Sequence, residues 1–151
     1  MATHVAEINW AAKESGEEFL KGRFSRAHTV SFDGGTEVPA SASPHVVGKW
    51  AVEAAVDPEE MLVASLSSCH MLSFLHLARM AGFTVTNYED RAEGTTAEIA
   101  PGRLAVTQVK LRPKIVWASA APSKEELDRL HHQAHEICFI ANSVKTQVTV
   151  E

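Results

Sequence analysis

Two cysteines, far apart in the sequence, are the residues of this chain best suited to chemistry. Cys69 lies in the apolar segment SLSSCHMLSFLHLARMAG and Cys138 in the segment LHHQAHEICFIANSV. A single buried thiol behaves as a small hydrophobe and usually needs only a packing explanation. Two such thiols in one chain, with acids and bases nearby, favour redox chemistry instead.

A reactive cysteine needs a thiolate that positive charge or hydrogen bonds stabilise. The candidate helpers are Arg26, Arg23 and His70, with Glu59 or Glu60 as an orienting carboxylate. An arginine is a better helper than a histidine, because its guanidinium keeps its charge on burial and can bind several acceptors at once.

The spacing between Glu59 and Cys69 restricts what this glutamate can do. The two residues are ten positions apart, and ten residues of unbroken helix rise about 15 Å. They cannot touch within one helix, so either the helix breaks between them or Glu59 reaches the cysteine of a second subunit. The residues alone favour a simpler interpretation, in which Glu59 only interacts with the positive helix N-terminus.

Cys138 has two candidate roles besides packing. As a resolving thiol its Cα must come within about 7 Å of the Cα of Cys69, which the sequence spacing does not decide. His131, His135 and Cys138 also recur at steps of four and three on one helical face, and such a set can hold zinc. Because a clear fourth ligand is missing, a solvated histidine cluster is the favoured interpretation and we predict no metal site.

Composition restricts the class of protein. The 151-residue chain is 45% hydrophobic and 22% charged, which suits one domain over residues 1–151. A net charge of -5 with scattered basic residues argues against nucleic acid as a partner. We find no signal peptide and no apolar run of about 20 residues, so we expect a cytoplasmic protein without a membrane partner. In a reducing cytosol, two cysteines favour reactive thiols over a permanent disulfide.

Local patterns predict the helix that must position Cys69. Asp57, Pro58 and the two following glutamates are typical of a helix start, and Gly82 is typical of a helix end. Residues 61–80 are apolar on nearly every face, which indicates a central helix that one short chain cannot cover on all sides. An obligate dimer, in which a second copy supplies the missing cover, is therefore expected.

The other elements are predicted around this helix. Ser123 and Glu126 have capping-box spacing and open a second helix that runs to about Phe139. Strands or extended segments are expected at 4–11, 26–32, 83–93, 103–117 and 144–150. The third and fourth of these should form a hairpin joined by residues 94–102. The order of elements predicts an α+β fold.

Together, DPEEMLVASLSSCHMLSFLHLA and ICFIANSV resemble the two cysteine motifs of the OsmC/Ohr family of organic hydroperoxide reductases. That family has a Pro-Glu pair ten residues before its peroxidatic cysteine, as Pro58 and Glu59 stand before Cys69. It also has an asparagine four residues after its second cysteine, as Asn142 follows Cys138. The resemblance spans most of the chain.

The resemblance implies a fold and an activity. The fold is an intertwined homodimer in which two β-sheets wrap two long central helices. The activity is that of a thiol-dependent peroxidase: Cys69 attacks an organic hydroperoxide and becomes a sulfenic acid, which Cys138 captures as a disulfide. No bound cofactor is implied, because an external dithiol, such as a lipoyl group or a lipoylated protein, would restore both thiols.

The family also uses an arginine from the N-terminal strand region. The segment FSRAHTVSFDGG suggests Arg26 for this role, with Arg23 as the other candidate. By the same resemblance Arg26 would hold the thiolate and polarise the peroxide, and Glu59 would orient Arg26.

Some features depart from the family pattern. Phe139 replaces the proline that commonly follows the second cysteine, and His70 stands where the family often has an apolar residue. The segment PASASPHVVGKWAVEAAV resembles an OsmC-like subgroup more than the typical hydroperoxide-resistance proteins. The alternative function is therefore that of a non-enzymatic OsmC-like protein, which binds an apolar small molecule at the dimer interface while both thiols are merely buried.

Overall fold

The computed structural model describes all 151 residues and divides into two compact units, Met1–Met61 and Leu62–Glu151. The elements of the first unit are β1 (Ala6–Asn9), α1 (Gly16–Leu20), β2 (His28–Phe32), β3 (Glu37–Ala40), α2 (Pro44–Val47) and a short 3-10 helix (Gly48–Trp50). Strand β2 lies between β1 and β3 and pairs antiparallel with both. A single domain over 1–151 stays a prediction.

The extended segments expected at 4–11 and 26–32 are confirmed by β1 and β2, but the two short helices of this unit were not predicted. Each begins after a serine whose hydroxyl accepts a backbone N–H, Ser15 for α1 and Ser43 for α2. Neither helix is longer than five residues. An apolar period of 3.6 residues cannot be recognised over so short a span.

Helix α3 (Pro58–Met80) begins and ends where the sequence predicts. The Asp57 carboxylate accepts from the backbone N–H of Glu60 at 2.7 Å, and the Glu60 carboxylate accepts from that of Asp57 at 3.0 Å. This reciprocal pair is a capping box, which satisfies two otherwise unpaired backbone donors. After the helix, Gly82 has a φ of 85°, the left-handed conformation in which glycine commonly ends helices.

Within the second unit, one row of α3 side chains is buried, at spacings of four residues. The row consists of Leu66, His70, Phe74 and Ala78. On another face Leu72 remains 61% exposed, so a single chain leaves part of this helix uncovered, as its all-round apolar sequence predicts. The homodimer itself stays a prediction.

Helix α3 also differs from one expectation. By length and composition it is apolar enough to cross a membrane, so the expectation that no segment approaches this property is wrong. The core helix of a soluble protein passes the same test. Three residues of the buried row of α3 belong to the hydrophobic clusters of this unit: Phe74 and Ala78 pack in one with Leu130, and Leu66 packs in the other with Val109.

Besides most of α3, the second unit contains two sheets and a second long helix. Its further elements are β4 (Val85–Asp90), β5 (Glu93–Ala100), β6 (Arg103–Leu111), β7 (Pro113–Trp117), α4 (Lys124–Ile137), a 3-10 helix (Ala141–Ser143) and β8 (Gln147–Val150). Strands β4 and β7 form an antiparallel pair. In the other sheet β6 lies between β5, antiparallel, and β8, parallel. The predicted α+β class is confirmed.

The predicted hairpin of 83–93 with 103–117 is wrong in detail. Residues 94–102 are mostly strand β5 rather than a connection, and β5 pairs with β6. Nearly every β5 side chain is exposed, so no apolar alternation marks it. The segment 103–117 is interrupted at Arg112, whose backbone N–H donates to the Asp90 carboxylate at 2.6 Å instead of continuing a ladder. Its two halves therefore enter different sheets.

Strand β5 passes very close to α3 at Gly94. A Cβ added there would lie 2.5 Å from a methyl group of Val63, whose β-branched side chain has little rotameric freedom. We expect Gly94→Ala to lower the free energy of unfolding by about 1–3 kcal/mol, measured by urea denaturation. The control is Gly16→Ala, where the added Cβ meets nothing within 4 Å. Unchanged stability of Gly94→Ala would contradict the close approach, and adding Val63→Ala should restore part of the loss.

Candidate active site

Helix α3 places Cys69 near its middle, beside the buried row rather than in it. The residue is half-buried, and its thiol is free. The next residue, His70, is 1% exposed and belongs to the buried row. Because neighbouring residues on a helix point about 100° apart, Cys69 faces a different direction from His70 and remains accessible.

Cys138 follows the last turn of α4 as its C-cap, with φ −69° and ψ 111°. It is 1% exposed, and its sulfur accepts from the backbone N–H of Ala141 at 3.4 Å. The Asn142 side chain donates to the carbonyls of Glu136 at 2.8 Å and Cys138 at 3.1 Å. The Cys138 carbonyl also accepts from the backbone N–H of Asn142 at 3.0 Å, so the asparagine of the second cysteine motif ties the end of α4 to the following turn through both its side chain and its backbone.

The structure brings the two cysteines together, although the sequence spacing could not decide this. The two side chains are neighbours, close enough for Cys69 to influence the pKa of the Cys138 thiol. Burial raises the pKa of Cys138 above its usual value, the contact with Cys69 adds to the rise, and the N–H of Ala141 opposes it. Cys138 therefore stays a protonated thiol at neutral pH, beside a more accessible second sulfur.

A largely apolar cleft of about 590 Å³ opens beside Cys69. It is lined by Ser65, Ser68, Cys69, Leu72, Ser73, His76, Ile137, Phe139 and Ile140. Phe139, which replaces the family's common proline, is 81% exposed at this cleft. A cavity of this size and lining suits a small organic molecule with few polar groups. Phe139 and Ile137 lie near Cys138 in the sequence, but no periodic signal marked them as lining residues.

Arg26 and Glu59 both lie in the first unit. The Arg26 guanidinium lies 3.4 Å from the ring centre of Phe24 and donates to the carbonyl of the same residue. Arg23 is more exposed and lies 3.7 Å from a carboxylate oxygen of Glu18. Glu59 is half-buried and forms an ion pair with neither arginine in this single chain. The proposed roles of Arg26 and Glu59 stay predictions.

His70 does not supply the positive charge considered for it. Its Nε2 lies 3.0 Å from Nδ1 of His131, inside the second unit. Burial, followed by the neighbouring His131 and His135, lowers the pKa of His70 to about 4, while Asp90 acts in the opposite direction. At neutral pH the ring is uncharged and cannot stabilise a thiolate by charge.

The structure does not gather the three residues considered as zinc ligands. His131 uses its Nδ1 in the contact with His70, and Cys138 faces Cys69. No group of three His, Cys, Asp or Glu side chains in the chain is arranged to hold a metal ion.

Two polar residues behind the site were not singled out from the sequence. Asp90 accepts from the Ser67 hydroxyl at 2.5 Å and from the backbone N–H of Arg112, so it links α3 to the break between β6 and β7. Tyr88 has a buried hydroxyl, and burial followed by the charge of Asp90 raises its pKa. Such long-range contacts leave no local pattern in the sequence.

Acidification should destabilise the fold through His70. In the unfolded chain His70 takes up a proton below its ordinary pKa of 6.5, whereas in the folded chain it does so only near 4. The unfolded state therefore binds more protons between these values, and stability falls as the pH drops from about 6.5 to about 4. Burial also lowers the pKa of His131, in the same direction. We expect the titration of His70 to lower the free energy of unfolding by on the order of 2–3 kcal/mol over this pH range.

Urea denaturation at pH 7.5, 5.5 and 4.5 measures this effect. Acid-titrating carboxylates also change stability, so the informative quantity is the difference between wild type and His70→Gln, which has no ring to protonate. His132→Gln is the matched control, because His132 is exposed. Equal pH dependence of wild type and a folded His70→Gln protein would contradict the prediction.

A family model described as OsmC-like protein matches residues 51–151. Among solved structures, an OsmC-like protein of unknown function from Vibrio cholerae is 48% identical to this chain, with a TM-score of 0.93 over 100% of this chain and 99% of that chain. No curated protein sequence matches the chain.

More distant structures share the fold. An organic hydroperoxide resistance protein OsmC from Legionella pneumophila is 19% identical, with a TM-score of 0.70 over 100% of this chain and 95% of that chain. An organic hydroperoxide resistance protein from Elizabethkingia anophelis is 20% identical, with a TM-score of 0.69 over 99% and 93%. At these identities the similarity shows the architecture alone.

Proposed function

Because this chain belongs to the OsmC-like family, we propose that it is a thiol-dependent peroxidase that reduces organic hydroperoxides to alcohols. The observation that carries the proposal is the pairing of a half-buried Cys69 on an apolar cleft with a buried neighbouring Cys138, whose pKa Cys69 influences. The names of the distant Legionella and Elizabethkingia relatives support the class of substrate.

The proposed reaction has two steps on the protein. The Cys69 thiolate attacks the distal peroxide oxygen, the O–O bond breaks, and the departing alkoxide takes up a proton to become the alcohol. Cys69 is thereby oxidised by two electrons to a sulfenic acid. The Cys138 sulfur then attacks the Cys69 sulfur, the S–O bond breaks, and hydroxide leaves with the Cys138 proton as water. A dithiol, such as a lipoyl group, reduces the disulfide and becomes oxidised itself.

The remaining parts of the proposal concern residues outside the thiol pair. Arg26 holds the thiolate and the peroxide oxygen, and Glu59 orients Arg26. The active form is a cytoplasmic homodimer in which a second copy covers the exposed side of α3 around Leu72. The exposure of Leu72 in the middle of a long helix supports such a dimer interface, because exposed apolar surface commonly marks a protein–protein contact.

Stoichiometry tests the proposal. Fully reduced protein is mixed with one equivalent of cumene hydroperoxide or of hydrogen peroxide, and the free thiols and the alcohol product are counted. We expect two thiols lost and one alcohol formed per cumene hydroperoxide, at a rate at least about tenfold above that with hydrogen peroxide, because the cleft binds the apolar part of the substrate. Under a dithiol the reaction should turn over repeatedly. Peroxide loss no faster than with the dithiol alone would overturn the proposal.

Binding of an apolar small molecule without chemistry is the second candidate. It is favoured by the exposure of Phe139 and Leu72 at the cleft, since large apolar side chains there suit an apolar ligand whether or not a thiol reacts. Thiol labelling of the native protein separates the two. Unreactive cysteines together with saturable binding of an apolar dye would support binding alone, whereas rapid labelling of Cys69 would support the peroxidase.

A further inference from the structure

Helix α3, which contains Cys69, and helix α4, which ends at Cys138, are joined by a side-chain hydrogen bond between His70 and His131. His70 directly follows Cys69 on α3, and its Nε2 lies 3.0 Å from Nδ1 of His131 on α4. His131 is seven residues before Cys138, two helical turns away and on the same face. The contact therefore fixes the face of α4 that also presents Cys138.

Packing alone does not account for this pair. His70 is 1% exposed, and its Nδ1 is buried without a hydrogen-bond partner. A neutral imidazole carries one N–H, so Nδ1 is left unsatisfied whichever of the two rings donates. Two apolar side chains of similar size would fill the same space without that cost. The ring of His131 also stacks on Phe74, with centres 4.3 Å apart, a contact that phenylalanine could make equally well.

We propose that His70 and His131 are a positioning pair, which holds α4 in the rotation that presents the Cys138 sulfur to Cys69. The inference rests on the proposed peroxidase function. It assigns the pair to the second step, closure of the disulfide, and not to the attack of Cys69 on peroxide.

The geometry of the thiols explains why closure needs such a pair. A disulfide forms only within narrow limits of Cα separation and dihedral angle. Cys138 lies at the C-cap, beyond the last helical turn, so its direction depends on how α4 is rotated about its axis. A hydrogen bond two turns away opposes that rotation, and attack on peroxide, which involves only Cys69, does not depend on it.

The test compares two substitutions of one residue. His131→Phe keeps the ring on Phe74 but loses the hydrogen bond, whereas His131→Asn places an amide near the position of Nδ1 and can keep it. The matched control is His132→Asn, on the exposed side of the same helix. After one equivalent of cumene hydroperoxide, the Cys69 sulfenic acid is trapped with dimedone and the disulfide is followed by mass spectrometry.

We expect His131→Phe to consume peroxide within about twofold of wild type but to close the disulfide at least about tenfold more slowly, so that dimedone captures more Cys69. His131→Asn should recover most of the closure rate, and His132→Asn should match wild type. Wild-type closure by a folded His131→Phe protein would overturn the inference. If His131→Phe does not fold, His131→Gln, whose amide is one methylene farther out, takes its place with the same expected slowing and the same overturning result.

A second arm separates this inference from the peroxidase proposal. Diamide accepts two electrons and two protons from a pair of thiols, becomes a hydrazine and leaves a disulfide, so it closes Cys69 to Cys138 without peroxide. Slow diamide closure in His131→Phe, with recovery in His131→Asn, supports the positioning role even if wild type consumes no peroxide. Equal closure of all variants in this arm overturns the positioning role even if the peroxidase is established.

Discussion

Replacing Cys69 by serine is expected to abolish the reduction of organic hydroperoxides, with a loss of more than roughly 1,000-fold in rate. A serine hydroxyl is a far weaker nucleophile than a thiolate, and it cannot form the sulfenic acid through which the electrons pass. The measurement is consumption of cumene hydroperoxide under a dithiol. A Cys69→Ser protein that keeps a tenth or more of the wild-type rate would contradict the assignment of this residue as the nucleophile.

Cys138→Ser is the matched comparison, because it removes a thiol of the same pair but not the nucleophile. It should react with one equivalent of peroxide at nearly the wild-type rate and then accumulate Cys69 sulfenic acid, which dimedone traps. Steady-state turnover should fall, because the reductant then has to attack the sulfenic acid instead of a disulfide. Equal loss in both variants at the first turnover would show that Cys138 is needed before the resolving step.

The part of this site that could be predicted from the sequence depends on local signals. Asp57 and Gly82 define the ends of α3 through backbone hydrogen bonding and a left-handed turn, which are properties of a few adjacent residues. Ser123 similarly begins α4, and its hydroxyl accepts from the N–H of Glu126 as predicted. The side chain of Glu126 instead pairs with Arg129, so only half of the expected capping box forms.

The part that could not be predicted is set by contacts distant in the sequence. Residues 94–102 form a strand because the backbone of β6 pairs with them, although their side chains have no apolar alternation. The contact of His70 with His131 joins residues 61 positions apart, and only the packed helices bring the rings together. The same holds for the two thiols, whose proximity only the resemblance to the OsmC/Ohr family implied.

Arg26→Ala is expected to lower kcat/KM for cumene hydroperoxide by about 100- to 1,000-fold, the usual effect of removing one donor from a site where negative charge develops. The structure favours Arg26 over Arg23, because the Arg26 guanidinium is held against Phe24 without a carboxylate partner, whereas Arg23 lies beside Glu18. Arg26 therefore has donors available for Glu59, the thiolate and the peroxide oxygen together, which a guanidinium fork can bind at once.

The comparison variant is Arg23→Ala, which should change kcat/KM by less than about threefold, as expected for a surface ion pair of little energetic weight. Arg26→Lys should recover only part of the activity, since a lysine lacks the fork that binds two acceptors together. The measurement is steady-state kcat/KM for each variant, after circular dichroism has verified that the variant is folded. A large loss in Arg23→Ala with normal Arg26→Ala activity would transfer the role to Arg23.

The role proposed for Glu59 follows from the same measurements. If Glu59 acts only by orienting Arg26, Glu59→Ala lowers kcat/KM by about tenfold in wild type and leaves it unchanged when Arg26 is already alanine.

Within one continuous α3, Glu59 and Cys69 are separated by about 15 Å of helix rise. Mixing Glu59→Ala chains with Cys69→Ser chains tests action across a dimer, because mixed dimers regain one intact site only if the two residues come from different chains. Mixtures no more active than the Glu59→Ala chains alone would place Glu59 and Cys69 of one site on the same chain.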